Sequence, residues 1–231
     1  MKHFCLAVIL LSGTVGFVHA SPCPVAPLSM YEQFGQMGCT VGPGPTFTFK
    51  NFTFNPVGMS PLTADQILVT PTFNPTSLTL TFSSSGFQVS TGQFAEYLIN
   101  YLVDPPPPEI IRFTSGLQDG PASGNGLSQV TTSLCIDPGC PRTATLVVFD
   151  MPSGGIVESR DVKLTDTTSI SPSTVFVQVN NDVVLDATNG GSAAINGFSN
   201  TTGIAPEPVS AVLVGGSLLA LACWRARAKV R

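Results

Sequence analysis

Apolar and polar residues alternate with a period of two along much of the chain. Leu78, Leu80 and Phe82 fall on one side with Thr79 and Thr81 on the other, and Val175, Val177 and Val179 repeat the pattern. A pleated strand turns successive side chains to opposite faces, so this period predicts half-buried β-strands. Such runs recur at a spacing of about 8–12 residues, with Gly, Pro, Asn and Ser between them. The predicted strands are 46–54, 66–70, 77–83, 86–90, 94–103, 110–114, 128–134, 142–149, 155–164, 174–179 and 182–186.

Some runs break the simple pattern. The phenylalanines at 47, 49, 52 and 54 change phase at Lys50-Asn51, and a β-bulge there would keep all four inward. Tyr97, Ile99, Tyr101 and Val103 share a face, yet Leu98 and Leu102 are apolar too. That run reads as a central strand covered on both sides. Asp104 and the prolines at 105–108 end it, because proline cannot continue a ladder, and the prolines read as a stiff, exposed polyproline II loop. Residues 116–126 and 188–203 are rich in Gly, Ser, Asn and Thr with little to bury, and the second stretch reads as a flexible spacer.

The two ends are different in kind. Met1-Lys2-His3 is a short basic start, Phe4 to Val18 is apolar, and Val18-His19-Ala20 is the small-residue pattern that signal peptidase accepts. Residues 1–20 therefore read as a signal helix cleaved between Ala20 and Ser21. Cys23 is not preceded by a convincing lipobox, which argues against lipoprotein anchoring. At the far end, Pro206-Glu207-Pro208 precedes an uncharged, mostly apolar run, Val209 to Trp224, and then Arg225, Arg227, Lys229 and Arg231. As a helix that run spans about 24 Å, slightly short of a ~30 Å hydrocarbon core. Cations beside an apolar segment hold that end in the cytoplasm, which places the rest of the chain across the membrane.

The order Pro-Glu-Pro, a Gly-containing apolar helix with Gly215-Gly216, and an Arg-rich end resembles the PEP-CTERM sorting signal of Gram-negative bacteria over residues 205–231. The resemblance implies recognition at Pro206, Glu207 and Pro208 by an exosortase-like membrane protease, after signal peptidase has acted at the other end. It also implies a link with exopolysaccharide. A permanent single-span anchor is the competing reading of the same tail. The two prolines keep the chain before the helix extended and unable to donate backbone hydrogen bonds there, which suits a protease substrate.

The fold class expected is thus all-β, an antiparallel β-sandwich of jelly-roll or Ig-like type, flanked by an N-terminal signal helix and a C-terminal transmembrane helix. The divisions are 1–20 signal peptide, 21–187 ectodomain, 188–204 spacer and 205–231 sorting signal. All fourteen acidic residues but only five of the ten basic ones lie within 21–208, leaving about −9. Such a body repels phosphate backbones, so nucleic acid is excluded as a partner.

Cys5 and Cys223 lie in the end segments, which leaves Cys23, Cys39, Cys135 and Cys140. In an oxidising compartment an even number argues for two disulfides, read as Cys23 with Cys39 and Cys135 with Cys140 around an Asp-Pro-Gly turn. Both histidines, His3 and His19, are in the leader, so His-dependent triads and His-ligated metal sites are excluded from the mature chain. Glu96, Glu109, Asp150 and Glu158 are available for acid–base work, without a spacing that singles them out. Asn180, Asn181, Asp182 and Asp186 are calcium candidates that equally suit turns. Sugars stack on aromatic faces, yet the only Trp is in the tail, and Tyr97 and Tyr101 read as core. The reading is a non-enzymatic exported protein of the cell surface or extracellular matrix, without a cofactor. Its alternative is a secreted polysaccharide-binding module, and a carboxylate-based extracellular hydrolase comes third.

Overall fold

The computed structural model describes residues 21–42, 47–58, 62–104, 109–119, 122–153 and 156–204. The expected signal helix, the polyproline segment at 105–108 and the sorting signal at 205–231 lie outside the described residues. Among the described residues no helix is long and apolar enough to cross a membrane.

The described chain is almost entirely strand. In order it runs β1 (Ser21–Pro22), β2 (Ala26–Pro27), a short helix α1 (Leu28–Gln33), β3 (Cys39–Val41), β4 (Phe47–Gly58), β5 (Leu68–Asn74), β6 (Ser77–Ser83), β7 (Gln88–Ser90) and β8 (Phe94–Asp104). It continues with β9 (Ile110–Asp119), β10 (Leu127–Ile136), β11 (Arg142–Ser153), β12 (Ile156–Lys163), β13 (Thr165–Thr174), β14 (Val177–Asp186) and β15 (Ser192–Ile204). One eight-stranded sheet has the order β1-β3-β4-β8-β14-β10-β11-β12. The other runs β13-β9-β15-β6-β5-β2, with β7 paired to β15. Their inner faces share one hydrophobic core, so the expected β-sandwich is present.

Alternation builds that core. Every second residue of β8 is buried, with Tyr97, Ile99, Tyr101 and Val103 at 2% exposure or less. Leu98 and Leu102 lie half-buried on the outer face. The strand is central in its sheet, but the expectation of cover on both sides is corrected. In β4 the register slips between Lys50 and Thr53, and Asn51 takes φ +57°. This bulge returns Phe52 to the inner face with Phe47 and Phe49, and Phe54 stacks on Tyr97 at 6.2 Å.

Between the sheets lies a hydrogen-bonded cluster of buried polar side chains. Tyr101 donates its hydroxyl to Asn200 Oδ1 (2.9 Å), and Thr132 donates to Asn181 Oδ1 (2.9 Å). Asn181 Nδ2 donates to the Ile99 carbonyl (3.2 Å), and Ser115 lies 3.0 Å from the Thr132 hydroxyl. Buried polar groups are tolerable only when partnered like this, and the partnering is specific to one register.

Three expectations are corrected. The stretch 188–204 is not a spacer: from Ser192 onward it is β15, central in its sheet between β9 and β6. Its small residues allow close approach, since a Cβ on Gly197 would come within 2.4 Å of the Phe82 carbonyl. Residues 174–179 and 182–186 are not two strands, because Asn180-Asn181 does not turn but continues β14. Residues 165–173, expected as a connection between strands 155–164 and 174–179, belong with Thr174 to the edge strand β13. Disulfides join Cys23 to Cys39 and Cys135 to Cys140 as expected.

Candidate functional site

The outer face of the eight-stranded sheet carries a cleft of about 350 Å³ over β4, β8 and β14. Its polar lining comes from Asn51, Thr53, Asn100, Gln178 and Asn180, with Leu102 and Phe176 as apolar edges, and Tyr101, whose ring is buried in the core, also borders it. Cross-strand register assembles it. Thr53 opposes Asn100, Asn100 opposes Asn180, and Leu102 opposes Gln178, and directly opposed side chains on one face lie within contact range. Asn100 Nδ2 donates to Thr53 Oγ1 at 3.1 Å.

Neighbouring elements hold the two ends of the cleft. The Asn51 amide donates to the Gly35 carbonyl (2.9 Å), and the Phe54 amide donates to Glu32 Oε1 (2.9 Å). Helix α1 and the turn after it thereby fix the bulge that presents Asn51. At the other end the Asp137 amide donates to the Phe176 carbonyl (3.2 Å). Asp137, inside the Cys135–Cys140 loop, also accepts Arg142 Nε (2.9 Å) and Nη2 (2.6 Å) on Oδ2 and the Thr174 hydroxyl on Oδ1. These hydrogen bonds, from Thr174 and then Arg142, hold the Asp137 carboxyl below the usual carboxylate range. The loop is tied to the chain just before Phe176.

Chemically the lining offers neutral amides and a threonine hydroxyl, one leucine and one phenylalanine ring, while the hydroxyl of Tyr101 is engaged by Asn200 in the core. Such groups donate to and accept from hydroxyls while presenting a ring edge or face to C–H surfaces. The lining holds no carboxylate, thiol or amine among the described residues.

The carboxylates singled out in the sequence are dispersed. Glu96 is on the outer face of β8, Glu109 bonds Ser173, and Asp150 is buried on β11; the side chain of Glu158 lies outside the described residues. Sequence reasoning missed the pairing of Glu96 with Asp182, diagonal neighbours across β8 and β14. Desolvation, with Glu96 as the second cause, raises the Asp182 pKa. Its Oδ1 is buried without a hydrogen-bond partner among the described residues.

The calcium reading is corrected. Asn181 points into the core, Asp182 points outward, and Asp186 accepts from the Thr188 amide (2.8 Å) to brace the following turn. Alternation turns Asn181 away from the other two, and Asp182 and Asp186, though on one face, stand four residues apart along the strand, about 13 Å. Among the described residues there is no cluster of three or more His, Cys, Asp or Glu. Tyr97 and Tyr101 are core, as expected, and burial raises both phenol pKa values. Ser21 begins β1 and is exposed; Ala20, Pro206, Glu207, Pro208, Arg225, Arg227, Lys229 and Arg231 lie outside the described residues.

No protein-family model matches the chain, and no curated protein matches it in sequence. Among solved structures it is similar to the enzymatically active domain of bacteriophage CBA120 tailspike protein 4, with TM-score 0.28 and 16% identity over 67% of this chain and 19% of that one. It is also similar to a carbohydrate-binding module of the β-sandwich superfamily described as promiscuous in specificity, with TM-score 0.25 and 10% identity over 80% of this chain and 62% of that one. A carbohydrate-binding module that recognises mannan gives TM-score 0.21 and 11% identity over 68% and 98%. Likenesses this slight establish neither a shared topology nor a shared ligand.

Proposed function

We propose that the chain is an exported, non-catalytic β-sandwich protein that binds neutral polysaccharide in the cleft over β4, β8 and β14. The observation that carries the reading is the lining itself: four amide side chains and a threonine on a rigid sheet, with one ring at the edge and no charge. Amides and hydroxyls match sugar hydroxyls, and an uncharged lining does not favour ions. Export is supported by the sequence of the first twenty residues and by two disulfides, which persist in oxidising compartments. The Pro-Glu-Pro tail supports sorting by an exosortase-like protease and display at the cell surface or in the matrix. The strands alternate between the sheets, β8 in one, β9 in the other, β10 to β12 back in the first, which favours a jelly-roll over an Ig-like arrangement.

The test is binding to an array of neutral polysaccharides by the wild type and by Asn100→Ala/Gln178→Ala. Each neutral hydrogen bond is worth about 1 kcal/mol net, so losing two lowers affinity about tenfold or more. Retention of no neutral glycan, or equal binding by the double variant, refutes the assignment. Mass spectrometry of the mature form tests export and processing: it should begin at Ser21 and lack Trp224.

A further inference from the structure

The outer face of the other sheet carries a second cleft, of about 380 Å³, lined by Thr76, Ile111, Arg112, Ser169, Gly203 and Ile204. It forms where two ladders break together. Arg112 opposes Gly203 on β15 and Ser169 on β13, whereas the next pairs on both sides involve Ile110, with Ile204 and Thr174. Ile111 is skipped by both neighbours, and residues 170–173 bow away from the ladder. Bulges of this kind re-aim side chains and open a sheet locally.

Arg112 occupies the opening. A Cβ on Gly203 would come within 3.1 Å of Arg112 Cβ and 3.2 Å of its Nε, so glycine at that position lets the arginine lie along the sheet. The other cations with described side chains are all neutralised: Lys50 by Asp104, Arg142 by Asp137 and Lys163 by Asp166. Arg112 alone among them has no ion pair or hydrogen bond within the described residues. In a chain with fourteen acidic residues and ten basic ones, a guanidinium left without a carboxylate has five donors to offer.

We propose that this cleft binds an isolated carboxylate carried on a glycan, on the face opposite the neutral cleft. The planar guanidinium matches a carboxylate bidentately. Thr76 and Ser169 supply hydroxyls for the sugar around it, and Ile111 and Ile204 supply apolar walls. The net charge of about −9 over residues 21–208 disfavours a dense polyanion, which selects a single acidic sugar in an otherwise neutral chain. With both clefts occupied, one molecule would bridge two strands of a matrix.

The experiment titrates the full-length chain with an oligosaccharide bearing one glucuronic acid and with its carboxyl-reduced counterpart, following heat and the Arg112 Nε–H resonance. The acidic probe should bind and shift that resonance, and the reduced probe should bind about tenfold more weakly or worse. Arg112→Gln should abolish this difference at unchanged melting temperature, because an amide carries no charge, and Arg112→Lys should reduce it, because an ammonium keeps the charge but not the bidentate fork. Asn100→Ala/Gln178→Ala should leave the difference intact, which separates this site from the neutral one. Equal binding of the two probes by the wild type, or a preference that survives in Arg112→Gln, overturns the proposal.

Discussion

Replacing Asn181 with leucine tests whether the polar cluster between the sheets sets the register that builds the neutral cleft. Asn181 is fully buried, accepts from the Thr132 hydroxyl at 2.9 Å and donates to the Ile99 carbonyl at 3.2 Å. Leucine has similar volume, so the cost comes from polarity rather than from a cavity. Orphaning the Thr132 donor costs about 1–3 kcal/mol, and the lost bond to Ile99 adds about 1, for a total of about 2–4 kcal/mol. The triple change Asn181→Leu/Thr132→Val/Ser115→Ala removes the stranded partners as well. Replacing bonded side chains together by apolar groups of similar shape is close to neutral; only the Ile99 carbonyl and Asn200 Nδ2, 3.4 Å from Thr132, each lose a side-chain partner, so the triple variant should recover to within about 1.5 kcal/mol of the wild type. Urea denaturation followed by circular dichroism reads both quantities. A cost below about 0.5 kcal/mol for the single change, or a triple variant as unstable as the sum of its parts, refutes the reasoning.

Two other consequences are open to measurement. The Asp182 carboxyl has a raised pKa, from desolvation first and from Glu96 second, so its contribution to stability is fully present below the unfolded value of about 4 and is lost as pH rises through the folded value. Asp182→Asn should therefore gain on the wild type between pH 4 and pH 7 in parallel urea titrations, and a constant difference across that range contradicts it. Removing Cys23–Cys39, whose partners are 16 residues apart, should cost about 3 kcal/mol, whereas removing Cys135–Cys140, 5 apart, should cost about 2; equal or reversed costs in the two paired Cys→Ser variants, measured by urea denaturation, would contradict the loop-length account.

The strands that were legible in the sequence are those whose inner residues are large. Leu78, Leu80 and Phe82, or Tyr97 to Val103, announce a buried face because no other arrangement hides so much apolar surface. β15 was not legible because its inner face is built partly from Ala193, Phe198, Asn200 and Thr202, a mixture that reads as linker. It is buried because small residues fit a close approach and because Asn200 finds Tyr101 across the sandwich, a partner 99 residues away that no local window contains. Helix α1 was missed for a related reason. Six residues carry too little periodicity, and what holds them is Tyr31 packed edge-on to Phe52 at 5.0 Å.

The neutral cleft was hidden by the same ambiguity, and the pair Asn180-Asn181 shows how. As a dipeptide it reads as a turn, since asparagine tolerates turn conformations and bonds its own backbone. In the sheet the two amides are pulled to opposite faces by the period of two, Asn181 into the polar cluster and Asn180 into the cleft. A slip of one residue in β14 would exchange them, and would also turn Val179 and Val183 to water and Gln178 and Asp182 into the core. The hydrogen bonds from Thr132 and to Ile99 oppose that slip in addition to the valines. The buried asparagine therefore acts on the cleft from the core side of the sheet, by holding Gln178 and Asn180 opposite Leu102 and Asn100. It follows that Asn181→Leu, where it folds, should weaken glycan binding only as far as it loosens β14. Hydrogen exchange of the Gln178 and Asn180 amides should rise in step with the loss of affinity, and weakened binding with β14 protection unchanged would break the link between cluster and cleft.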